Sequence, residues 1–151
     1  MNTNPLKQIV TMQKQGKGIG IYSCCSANEY VIKAAITSAK KDHSCVLIEA
    51  TANQVDQNGG YTGMNPKAFR QFVYEIAEEL TFPIHRIFLG GDHLGPLTFA
   101  KQKEKEAMEA ASELVRCYVE AGFTKIHIDT SMKLADDDPK KRLRDEVIAR
   151  R

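Results

Sequence analysis

The sequence lacks several features, and each absence removes a class of protein. No apolar run approaches the ~20 residues that cross a bilayer, so a membrane protein is not expected. Charge of one sign is scarce: 21 Lys and Arg stand against 19 Asp and Glu. The resulting net charge of +2 is too small and too dispersed to predict a nucleic-acid partner. The four cysteines, Cys24, Cys25, Cys45 and Cys117, include an adjacent pair and no CxxC. They form neither a disulfide framework nor a zinc knuckle, and reduced thiols are expected. The first 17 residues have no apolar stretch of the secretory kind, which makes a cytoplasmic address the expectation. A GxxxxGK[ST] run is missing too, so there is no P-loop.

What is present is an ordinary globular composition, 42% hydrophobic and 26% charged, in 151 residues. That length suits one domain over 1–151. Apolar spacing predicts a leading helix over about 4–15, closed by Gly16. Strand-like and helix-like stretches then alternate. Strands are expected at 18–23, 45–49, 84–89 and 125–129, and helices at 28–41, 65–80, 99–121 and from 138 onward. Asn65 and Pro66 read as an N-cap followed by the favoured first helical residue. The expected inward faces are Val31, Ile32, Ala35, Ile36 and Ala39; Phe69, Phe72, Val73, Ile76 and Leu80; and Met108, Leu114, Val115, Tyr118 and Val119.

Strands separated by helices imply parallel neighbours joined by right-handed crossovers. An open sheet covered on both faces would carry near-continuous apolar strands, whereas these strands are two-faced. Leu47, Glu49 and Thr51 share one face, as do Phe88, Gly90 and Asp92, and then His127, Asp129 and Ser131. The expectation is therefore an α/β fold, a parallel (β/α)8 TIM barrel of which the chain supplies about the first four βα units, with its polar residues at the C-terminal rim.

The segment LGGDHLGP at 89–96 is the most informative. Its glycines allow a sharp bend and close ligand approach, and Asp92 beside His93 offers a proton-transfer carboxylate and a metal-ligating imidazole. Strict alternation would let only one of the two point into the lumen. The plainer alternative is a turn with a solvent-facing histidine. After the second strand, IEATANQ at 48–54 and NGGYTGM at 58–64 form a polar loop. Its backbone N–H groups could wrap a phosphate or polyol, through Asn53, Gln54, Gly59 and Gly60; it could equally be only a long connection. Glu49, facing the lumen, needs a cation or hydrogen-bond partner. His127, Asp129 and Ser131 could bind sugar hydroxyls or form a satisfied structural layer. His43 and His85 fall at the opposite pole and carry no expected chemistry, and the thiols after Ser23 have no base nearby in sequence to activate them.

Five segments, IYSCCS, LIEATANQV, NGGYTGM, LGGDHLGP and KIHIDTSM, resemble the N-terminal portion of the accessory subunits of D-tagatose-1,6-bisphosphate aldolase, the GatZ/KbaZ type. The resemblance runs from about residue 5 to the end. It implies a TIM-barrel protein longer than this chain that supports the activity and stability of a zinc-dependent class II aldolase partner in galactitol or amino-sugar catabolism. By the same resemblance Asp92 takes the place of the proton-transfer carboxylate and His93 that of a zinc ligand, with the remaining zinc histidines on later strands. Members also labelled tagatose-6-phosphate kinases do not lead to an expectation of kinase activity here. The alternatives are a metal-dependent ketose-bisphosphate aldolase in its own right, or an interaction module with a vestigial pocket. Four βα units leave two strand edges open, so a piece of a longer barrel or a half-barrel that oligomerises is expected.

Overall fold

The structure, a computed structural model, describes residues 5–151. Helix α1, Pro5–Lys14, buries no residue and ends at Gly16, whose φ of +78° is the left-handed closure that glycine permits. The expected start of this helix at Asn4 lies outside the described residues.

Strand β1 is Ser23–Cys25, not 18–23. The shift follows from the ladder: Ser23 pairs with Leu47, and β2 (Val46–Thr51) begins one residue earlier, so residues 18–21 have no strand beside them. Helix α2, Glu29–Lys41, starts where the Asn28 side chain accepts from the N–H groups of Tyr30 and Val31. It buries Ile32, Ile36 and Ala39, while Val31, expected inside, is exposed. Helix α3, Pro66–Glu79, is capped by Asn65 with Pro66 at its start, as its sequence indicates.

The third strand differs most from expectation. Residues Ile84–Arg86 form a 3-10 turn closed by Arg86 N–H on the Pro83 carbonyl, and β3 runs over Ile87–Leu94, carrying the glycines, Asp92 and His93 inside the strand. A second 3-10 turn, Pro96–Phe99, delays helix α4 to Glu104–Glu120. The Asp136 carboxylate, from a distant loop, accepts from Glu104 N–H at the start of α4. Helix α4 buries Ala107, Ala111, Leu114 and Tyr118; Met108 and Val115 are half-buried, and Val119 points outward at 55% exposure.

Strand β4 is Lys125–Ile128, and the last helix, α5, is only Asp145–Arg150. The helix expected from Asp138 does not form there. Asp138 closes a local turn on Lys140 N–H instead, and Lys140, Lys141, Arg142 and Arg144 crowd like charges into the next turn.

The strands lie in the order β1-β2-β3-β4, every pair parallel. A doubly wound open sheet reverses its strand order at a switch point, and none occurs among the described strands. The unbroken order is that of the first four βα units of a parallel β/α barrel. The helices cover one face of the sheet, where Val46, Ile48, Ala50, Ile87 and Leu89 join Ile32, Ile36, Phe69, Val73, Leu114 and Tyr118 in one core. Tyr118 lies directly against Gly91, since a Cβ there would sit 2.9 Å from its ring, and its hydroxyl donates to the Val55 carbonyl at 2.8 Å. Leu47 and Phe88 are buried outside that core, on the other face, beneath the polar layer. No helix among the described residues is long and apolar enough to cross a membrane.

Candidate functional site

Register stacks the polar residues. Cys25 pairs with Glu49, Glu49 with Gly90, and Gly90 with Lys125, which makes one layer across all four strands; Thr51 pairs with Asp92 one layer higher, toward the strand C-termini. By alternation His127 joins that upper layer from β4.

Glu49 is only 3% exposed, and a buried carboxylate must be paired. The Ser23 hydroxyl donates to its Oε2, and the Lys125 ammonium lies 2.5 Å from Oε1. The lysine contact is an ion pair without the alignment of a hydrogen bond, since Oε1 has no hydrogen-bond partner. Gly90 makes the arrangement possible: a Cβ there would sit 2.8 Å from Glu49 Cγ, so the side chain lies across bare backbone to reach β4.

Lys125 also reaches Asp92 Oδ1 at 3.3 Å, and His127 Nδ1 meets the same oxygen at 2.8 Å. Partial burial pushes the Asp92 carboxyl up, but the hydrogen bonds from His127 and Lys125 outweigh it and hold the group below the usual carboxylate range. Burial pulls the Lys125 ammonium down, and Glu49 foremost, then Asp92, reverse the sign and raise it. Cys25, on the same wall, is pushed up to about 12 by burial and by Asp92 and Glu49, so it stays a thiol and is no nucleophile.

Asp92 and His93 were expected on opposite sides of the strand; the structure turns both to one rim. Between Gly91 and Leu94, β3 carries one more residue than β4 opposite it, and His93 takes a φ of +51°. That bulge breaks the alternation. His93 Nδ1 faces Asp129 Oδ2 at 3.2 Å, and the His93 and His127 rings meet edge to face with centroids 4.5 Å apart. Asp129 is held by the Ser131 hydroxyl (2.6 Å) and backbone N–H (2.9 Å), which keep its carboxyl below the ordinary range. Donor atoms of Asp92, His93 and His127 all lie within 4.8 Å of one another.

The loop after β2 uses many of its own N–H groups. Gly59 donates to the Asp56 carbonyl, Gly60 and Asn58 to the Asp56 carboxylate, and Tyr61 to the Asn53 carbonyl. The Gln54 side chain accepts from Thr51 N–H, and Gly60 packs against the Gln54 backbone, where a Cβ would clash. Gln54, Gly59 and Gly60 thus help to build the loop, to which Asn53 contributes its carbonyl. His43 and His85 sit before β2 and β3, at the far pole.

Lys125 is the residue that sequence reasoning missed. Its signals were its place two residues before His127, on the same face, and the unmet need of Glu49 for a cation.

The family described as D-tagatose-1,6-bisphosphate aldolase subunit GatZ/KbaZ-like matches residues 6–151. The chain belongs to that family. Among similar members, the D-tagatose-1,6-bisphosphate aldolase subunit GatZ of Klebsiella pneumoniae is 53% identical over 132 residues, 87% of this chain and 31% of that protein. GatZ of Salmonella heidelberg is 51% identical over 146 residues, 97% of this chain and 34% of that one. In three dimensions the chain superposes on the crystal structure of a probable tagatose 6 phosphate kinase from Sinorhizobium meliloti with a TM-score of 0.82 and 48% identity, covering 87% of this chain and 33% of that one. The chain spans about a third of the length of these family members.

Proposed function

We propose that the chain is the N-terminal barrel half of a non-catalytic subunit of tagatose-bisphosphate aldolase. In this reading the subunit supports the activity and stability of a zinc-dependent class II partner in galactitol or amino-sugar catabolism, in the cytoplasm. The observation that carries the reading is family membership over 6–151, joined to relatives named as aldolase subunits. The partner is the catalytic aldolase subunit, in an oligomeric assembly. The rim residues Glu49, Asp92, His127, Asp129 and Ser131 would face the hydroxyls of a sugar phosphate.

A zinc ion fits the rim in kind. Its tetrahedral sites take three or four N, S or O donors with bonds of about 2.0–2.2 Å, and two imidazoles and a carboxylate stand within 4.8 Å. Each ring's Nδ1 already faces a carboxylate, an arrangement that leaves Nε2 as the metal donor. His93 and His127 would hold the ion together with at least one further donor, since Asp92 is engaged at the His127 Nδ1 and zinc sites take three or more protein ligands. The ion would supply a Lewis acid for a carbonyl oxygen. Asp92, kept anionic by its neighbours, would hold or move a proton.

That cluster also favours a second reading, in which the protein is itself a metal-dependent ketose-bisphosphate lyase. Aldol cleavage is to be assayed with added Zn²⁺, with and without a catalytic class II aldolase partner, and again in Asp92→Asn. Stimulation only of the partner supports the accessory role. Zinc-dependent turnover by the chain alone, lost in the variant, overturns it in favour of the lyase.

A further inference from the structure

The rim residues form an unbroken line across the sheet. It runs from Ser23 on β1 through Glu49 on β2, Lys125 on β4 and Asp92 on β3 to His127 on β4. Lys125 is its centre. It is anchored on a carboxylate that cannot move, because Glu49 is buried, lies flat over Gly90 and is gripped by Ser23. From that anchor its ammonium reaches Asp92 Oδ1, the oxygen that His127 also addresses. The backbone at Asp92 stays in register with Thr51 on β2 but loses its ladder with β4 at the bulge, and besides Lys125 and His127 only the Cys25 thiol, among the described residues, addresses its carboxylate.

We propose that Lys125 is a positioning residue, which by tethering Asp92 Oδ1 to the immobile Glu49 holds that carboxylate against His127 Nδ1 and so fixes which nitrogen of the His127 ring carries the proton. A carboxylate accepting at Nδ1 selects the Nδ1–H tautomer and leaves Nε2 as the lone-pair nitrogen. An imidazole without that partner is free to take the other tautomer. A role confined to balancing the buried Glu49 charge predicts no such selection, because removing Glu49 together with Lys125 would then be neutral.

The test is the ¹⁵N signature of the His127 ring in metal-free protein at alkaline pH, where imidazoles are neutral. Wild type is expected to show one tautomer, with a pyrrole-type Nδ1 and a pyridine-type Nε2. Lys125→Met is expected to lose that single signature, and Lys125→Arg to recover it. The pair Glu49→Gln with Lys125→Met removes the uncompensated buried charge, stays folded if the single variant does not, and is expected to show the same loss. An unchanged tautomer in Lys125→Met, or a wild-type signature in the double variant, overturns the proposal. Neither sugar nor metal nor partner enters the measurement, so its failure is separate from failure of the aldolase-subunit reading.

Discussion

Lys125 and His127, two residues apart on β4, converge on a single oxygen of Asp92, at 3.3 Å and 2.8 Å. Both reach it because alternate residues of a strand share a face. The contact therefore depends on the phase of β4 as much as on either side chain.

Glu49 and Lys125 are expected to be energetically coupled. Removing Lys125 alone leaves a buried carboxylate short of its cation, whereas removing both charges leaves none. A double-mutant cycle of Glu49→Gln and Lys125→Met, read by urea denaturation, should give a coupling of about 0.5–3 kcal/mol. Strict additivity would contradict the pairing.

Gly90→Ala should destabilise the protein although alanine is small. Its Cβ would enter the space of Glu49 Cγ and Cδ, and Glu49 can yield only by leaving Ser23 and Lys125. A loss of about 1–3 kcal/mol is expected from such overpacking. Combining it with Glu49→Ala, which empties the space, should cost less than the two changes summed.

Acid should weaken the fold through the rim. The carboxyls of Asp92 and Asp129 are both held below their usual value in the folded state. They therefore stabilise it above their unfolded pKa of about 3.9, and that contribution is lost as pH falls through the lower folded values. Urea midpoints of wild type and Asp129→Asn should differ at neutral pH and draw together as pH falls through the lowered folded value.

Tyr118→Phe keeps the ring against Gly91 but removes the donor to the Val55 carbonyl. Val55 is fully buried, so its oxygen would lose its partner away from water, at a cost of about 1–3 kcal/mol. Thermal unfolding should show the drop, and amide exchange over residues 52–64 should quicken, because that carbonyl opens the loop.

The order of elements was legible because the first four helices carry their own periodicity and one of them its own cap, at Asn65. The lumen face was legible from alternation: Glu49, Asp92 and His127 do share it. What escaped reading was set by neighbours distant in sequence. The edges of β1 depend on where β2 starts, and the start of α4 is capped by Asp136 from another loop. The partnership of His93 with Asp129 depends on a bulge that no local propensity announces. The loop of 52–64 looked open because a sequence does not record that Asp56, Asn53 and Gln54 will take up its N–H groups.

The extra residue in β3 has a consequence beyond His93. Gly91 faces the helices and Asp92 the lumen, and without the irregularity the next side chains would continue that beat, turning Leu94 inward. Instead Leu94 pairs with Ile128 and is wholly enclosed by the apolar layer. Deleting one residue between Gly91 and Leu94 would restore the regular beat and leave Leu94 among the helices. The bulge therefore adds a second functional side chain to the rim at this point, and its loss would leave room for Asp92 or His93 but not for both.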